Sequence, residues 1–90
     1  MRQVVLDGGA IADRRMLHQV LARCLPLPDR YGGNLDALAD SLSEMVEDLE
    51  ICVVNRAVLE EKLGRYAQGL YEVLRRSAAE NPHIHVSFAL

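Results

Sequence analysis

Three short runs of strand-forming residues lie far apart in this chain, and their separation constrains the fold more than any other feature. Val4, Val5 and Leu6 make the first. Leu49 to Val54 makes the second, with Ile51, Cys52, Val53 and Val54 in one apolar stretch. In the third, Ile84, Val86 and Phe88 alternate with His83, His85 and Ser87, so one face is apolar and the other more polar. Neither gap is a hairpin turn; both carry helical periodicity. Strands joined by long helical crossovers run parallel, with right-handed connections. The expected order is β-α-α-β-α-α-β, an α/β domain in which helices pack on a small three-stranded parallel sheet.

Local signals set the boundaries. The first strand is expected over Gln3 to Asp7, ended by a plain turn at Gly8 and Gly9, since neither a GxGxxG nor a Walker pattern follows. Asp13 is placed to cap a first helix, Arg14 to Cys24, with Met16, Leu17, Val20, Leu21 and Cys24 as its core stripe. His18 lies beside that stripe and reads as a partly buried histidine with one hydrogen bond, because no nucleophile is arranged with it. The middle strand, Leu49 to Val54, reads as buried on both faces. Asn55 is expected to cap a third helix, Arg56 to Leu63, closed by Gly64. A fourth helix runs Arg65 to Glu80, with Tyr66, Leu70, Val73, Leu74 and Ser77 along one side. Gly69 inside it costs about 1 kcal/mol relative to alanine, which a close helix–sheet contact would explain. Asn81-Pro82 ends that helix, and the last strand is expected over His83 to Ala89.

Between the first helix and the middle strand lies LPDRYGGNLDALADSL, a glycine-broken loop running into a capped acidic helix. Pro26 and Pro28 stiffen the loop, and Tyr31, Gly32 and Gly33 follow. Asn34 is an N-cap, and Leu35, Leu38, Leu42 and Met45 stripe a helix expected over Leu35 to Val46. Asp36 and Asp40 stand one turn apart on a different face, a like-charge pair that costs a helix about 0.2–0.5 kcal/mol. Asp36 is compensated by the positive end of the helix dipole; Asp40 lies mostly beyond it. Small neighbours, Gly32, Gly33, Ala39 and Ser43, leave a low-relief negative surface that a cationic concave partner could close over. Spacing alone does not distinguish this from a solvated helix face.

Charge distribution sharpens the point. The net charge is −3, yet between Asp29 and Glu50 seven acids face one base, Arg30, a local −6. The remaining six acids and nine bases leave +3 elsewhere. An acidic surface argues against nucleic acid as its direct ligand and suits a basic protein.

The run LPDRYGGNLDALAD resembles the signature of the barstar family, intracellular inhibitors of a secreted bacterial ribonuclease. Leu27, Pro28, Tyr31, Gly32, Asn34, Leu35, Asp36, Ala37, Leu38 and Asp40 match it, as does Leu17-His18-Gln19 in the first helix, and the order of elements is similar along nearly the whole chain. The resemblance implies a barstar-like fold and a one-to-one partner, a secreted or toxin ribonuclease with a basic active site. By that resemblance Asp40 enters the active site and Asp36 supports it. Tyr31 packs over the substrate-binding rim, and Gly32 and Gly33 keep the loop close; Arg30, Asn34, Ala39, Ser43 and Gln68 complete the partner-binding set. Four positions depart from the pattern. Paired tyrosines become Arg30-Tyr31, a tryptophan before the key aspartate becomes Ala39, a second becomes Met45, and a glutamate of the fourth helix aligns with Gln68. A cognate nuclease with a differently shaped rim is therefore expected. The alternative is a module that keeps the fold for a non-ribonuclease partner.

Other classes find less support. Ninety residues make one domain, 1–90, large enough for one core without staples. Cys24 and Cys52 offer neither a disulfide framework nor metal spacing and read as buried free thiols, which suits a reducing cytoplasm. The apolar run near the N-terminus is too short for a signal peptide, and no stretch approaches a membrane span. His83 and His85, two apart on a strand, could begin a zinc site, but no third ligand is placed by sequence. No Ser-His-Asp or Cys-His arrangement is recognisable. The reading is a cytoplasmic, non-catalytic inhibitor or immunity protein, monomeric when free, without cofactor or metal.

Overall fold

The computed structural model of the chain, which describes residues 1–89, follows the expected order. Strand β1 (Arg2–Asp7) leads through a 3-10 turn (Gly8–Ala10) to α1 (Arg14–Cys24) and α2 (Leu35–Ser43). Strand β2 (Leu49–Val54), α3 (Arg56–Leu63), α4 (Arg65–Glu80) and β3 (Ile84–Phe88) follow. The three strands form one parallel sheet in the order β1-β2-β3. Arg2 pairs with Leu49, and Leu49 with Ile84.

Burial alternates along the strands. Val4, Leu6, Leu49, Ile51, Val53 and Ile84 are buried, with Leu49, Ile51 and Val53 wholly inaccessible. On the opposite face Gln3, Val5, His85 and Ser87 are exposed, and Glu50, Cys52 and Val54 are half-buried. This corrects the expectation of a middle strand buried on both sides. The helices cover one face, and the other is a partly open sheet surface. Cys24 and Cys52 are free thiols as expected, but half-buried rather than buried.

Core contributions come from all four helices, among them Leu17 and Leu21, Leu38 and Leu42, Leu59, and Ala67, Leu70, Tyr71 and Leu74. Each Leu removed from water contributes roughly 1.5–3 kcal/mol, so α2 is held mainly by the Leu38 and Leu42 stripe. Met16 is partly exposed rather than a core residue, at 38%. The Gly69 contact lies elsewhere than expected. A Cβ there would come within 2.9 Å of Leu35 Cδ1, so the glycine lets α4 approach α2, a helix–helix rather than a helix–sheet contact.

Two asparagines tie elements together, and neither acts as the sequence suggests. Asn55 has φ 54°, a left-handed conformation asparagine tolerates, and its side chain makes no helix cap. Its Nδ2 donates instead to Asp7 Oδ1 at 2.6 Å, which also accepts from Gly9 N–H at 2.8 Å. These bonds hold the Asp7 carboxyl below its ordinary pKa. Asn81, 7% exposed, donates from Nδ2 to the carbonyls of Leu42 and Met45, each at 2.9 Å. Its Oδ1 accepts from His83 N–H at 3.0 Å. These bonds satisfy carbonyls at the end of α2, and explain why the helix stops at Ser43 rather than Val46.

Candidate functional site

The loop before α2 is built by local chemistry. A turn closes from Tyr31 N–H to the Pro28 carbonyl at 3.0 Å and leaves Arg30 exposed at its crest. Gly33 has φ 69°, a region that strains any residue with a Cβ. Asn34 then caps α2 as expected, its Oδ1 accepting from Ala37 N–H at 2.8 Å. Its side chain is thus engaged in holding the loop–helix junction.

Beneath the loop lies a bridge that the sequence reading saw only in part. His18 is 6% exposed and makes two hydrogen bonds rather than one. Nδ1 meets the Tyr31 hydroxyl at 2.5 Å and Nε2 meets the Tyr66 hydroxyl at 2.6 Å. A neutral imidazole has one N–H and one acceptor nitrogen, so one tyrosine donates to the ring and the other accepts from it. Burial, with Tyr66 close by, pushes the Tyr31 hydroxyl up to about 12, and burial lowers the His18 pKa. Arg14 lies over the Tyr66 ring, 4.4 Å from its centroid. Half-buried Tyr31 therefore turns its hydroxyl inward, where it fixes the loop to α1 and α4.

The helix face carries the other residues. Asp36 and Asp40 are exposed, and neither carboxylate has an ion pair or side-chain hydrogen bond among the described residues. Ser43 Oγ donates to the Asp40 carbonyl at 2.7 Å. Gly32 lies against the junction, where a Cβ would be 3.4 Å from that of Ala37. Half-buried Ala39 opens, together with Ser43, onto a cleft of about 260 Å³ between α2 and α4. The α4 residues lining it are Val73, Arg76, Ser77 and Glu80. Gln68 does not line it. Its amide donates to Glu60 Oε1 at 3.1 Å, away from the cleft.

Thus the loop, Asn34, Asp36, Ala39, Asp40 and Ser43 form one continuous run of turn and helix, and Gln68 stands apart from the α4 residues beside it. Arg76, Ser77 and Glu80 adjoin this run across the cleft. Continuing the α4 stripe from Val73 to Ser77 and Glu80 would have found two of them.

Catalytic and metal constellations are not assembled among the described residues. His83 Nδ1 pairs with Asp48 Oδ1 at 2.9 Å, which holds the Asp48 carboxyl below its usual range. No group of three His, Cys, Asp or Glu side chains there is placed to hold a metal ion. No described helix is long and apolar enough to cross a membrane.

Fold and surface together define a small α/β protein with seven of its thirteen acids between Asp29 and Glu50, three of them on the loop and α2 and four in the connection and the start of β2. Residues 1–90 match the family described as Barstar (barnase inhibitor). A Bacillus subtilis (strain 168) protein named "Putative ribonuclease inhibitor YrdF" is 36% identical over 81 residues, 89% of each chain. The chain belongs to the barstar family, a family of inhibitors rather than enzymes.

Proposed function

We propose that this protein inhibits a ribonuclease, one-to-one, by inserting the α2 face into a basic active site. The observation that carries this reading is the pair of unengaged carboxylates, Asp36 and Asp40, on a small-residue face in a barstar-family chain. A ribonuclease presents Arg, Lys and His side chains to the scissile phosphate and its developing charge. A carboxylate placed there accepts charge-assisted hydrogen bonds from the same donors. Asp40 takes the phosphate's place, and Asp36 adds negative charge one turn back. Arg30 meets the enzyme's rim, while Tyr31 and Gly33 set the loop's shape. The target is a secreted or toxin enzyme, and the inhibitor works as a monomer in the cytoplasm, where such an enzyme would kill the cell. Like-for-unlike charge also speeds encounter.

A titration into a panel of small secreted bacterial ribonucleases, barnase among them, tests this at low and moderate salt with Asp40→Ala alongside. Stoichiometric inhibition that weakens with salt and collapses in the variant is expected. With Arg30 and Ala39 on this face, barnase is expected not to be the tightest target. Absence of inhibition across the panel, or inhibition indifferent to Asp40→Ala, would defeat the mechanism.

A further inference from the structure

A different surface adjoins the loop on its α1 side. An open groove of about 390 Å³ runs there, lined by Arg15, His18, Gln19, Ala22, Tyr31 and Gly33. Arg15, Gln19 and Ala22 recur a turn apart along α1 and so share one face. The polar atoms of His18 and Tyr31 are already engaged with each other and with Tyr66. Gly33 puts no side chain over the groove. That leaves the Arg15 guanidinium, which carries donors only, and the Gln19 amide. No acid lines this surface.

The other arginines show what sets Arg15 apart. Arg2 bonds the Cys24 carbonyl at 3.3 Å, and Arg76 pairs with Glu72 at 3.3 Å. Arg14 lies over Tyr66, and Arg56 and Arg75 lie over Phe88. Arg15, Arg23, Arg30 and Arg65 have no ion pair, side-chain hydrogen bond or aromatic contact among the described residues. Of these, Arg15 stands in the groove and Arg30 on the loop beside it, both exposed. Toward an enzyme basic throughout, each would be repelled, and the cost is reversed only where an anion faces them. Arg15 offers a carboxylate a fork of donors, and Gln19 adds an amide N–H. A lysine or arginine entering the groove would meet the Arg15 charge with no acid to offset it.

We propose that the groove between α1 and the loop receives an aspartate or glutamate from the rim of the bound ribonuclease, held by Arg15, with Arg30 adding positive charge beside it. This rests on the inhibitor reading and narrows the partner. The enzyme that fits has an acidic rim next to its basic active site, and one without that acid is disfavoured even when its active site suits Asp40.

Arg15→Glu tests this, because plain charge steering gives the opposite sign. Against an enzyme basic wherever it meets the inhibitor, exchanging a cation for an anion strengthens inhibition; against a carboxylate in the groove it weakens it. The inhibition constant is measured with the ribonuclease of the panel that the protein inhibits most tightly, with Asp40→Ala alongside. Arg15→Glu should weaken inhibition by about tenfold or more and Arg15→Gln by less. Thermal unfolding should not move, since Arg15 makes no bond within the fold. Changing the rim acids of the enzyme to lysine one at a time should find one that restores inhibition by Arg15→Glu. Unchanged or tighter inhibition by Arg15→Glu, of an enzyme that Asp40→Ala releases, would overturn the proposal and leave the inhibitor reading standing. Failure to inhibit any enzyme of the panel would overturn both.

Discussion

Aspartates at the two ends of the fold's first half are used in opposite ways. Asp7 and Asp13 sit at the ends of structural elements, and each is engaged. Asp7 accepts from Asn55 and Gly9, and Asp13 caps α1 through Met16 N–H at 2.8 Å. Asp36 and Asp40, on α2, have neither an ion pair nor a side-chain hydrogen bond among the described residues. The first pair contributes to folding. The second carries the like-charge cost of its spacing and returns no structural bond. A carboxylate without a bond in its own fold is available to a partner, and under the proposed function the difference would separate scaffold from interface within one residue type.

The sharpest break of that comparison is Asp40→Ala. It should leave thermal unfolding within about 0.5 kcal/mol of the parent, as for most surface changes. Binding to a cognate ribonuclease should fall by about 2–5 kcal/mol, the general range for truncating one side of a buried charge-assisted pair, which already includes the barnase–barstar pair. Calorimetry on both proteins reads the two numbers, and a variant that loses stability instead would place Asp40 with the scaffold.

Asn81→Ala reverses the pattern. It removes the side-chain donor to the Leu42 and Met45 carbonyls, of which Leu42 keeps the Met45 N–H at 3.2 Å. Unfolding stability should drop by about 1–3 kcal/mol in urea titration, and binding should fall only as far as α2 loosens. Gly33→Ala lies between the two. Its φ of 69° makes a side chain costly by about 1 kcal/mol, and both stability and inhibition should show it.

The smallest effect is a pH slope. Burial holds the His18 pKa below its ordinary 6.5. As pH falls through about 6.5, the unfolded chain takes up the proton first, so stability should decline until the folded-state pKa is passed. His18→Gln should flatten that part of the profile. Asp7 and Asp48, held below 3.8, act only in a more acid window. A slope unchanged in His18→Gln would show that the histidine is not its source.

The sequence made the fold readable where a single local signal decides. Caps at Asp13 and Asn34, the Gly64 closure and the spacing of three apolar runs place most boundaries within two residues. It misled where a side chain had a distant alternative. Asn55 prefers Asp7 to its own helix, and Asn81 reaches back to cut α2 short. Helix periodicity finds the buried stripe of α4 and cannot say which residues at its margin look across at α2. Ser77 therefore reads only as core, while Gln68 comes from alignment rather than from periodicity; it bonds Glu60 and lies outside the cleft. The Tyr31–His18–Tyr66 bridge joins three elements, and no local pattern announces such a contact.

The sheet's pairing also governs when this surface comes into being. Arg2 pairs with Leu49 and Leu49 with Ile84, so no strand finds its neighbour locally, and each pairing closes a long loop before it gains anything. The helices can condense early, but the end of α2 waits for Asn81, which is synthesised after all four of them. On a ribosome the loop and α2 emerge well before the residue that sets where the helix stops. A nascent chain thus carries its acidic helix without the tie at its C-terminal end until Asn81 is out.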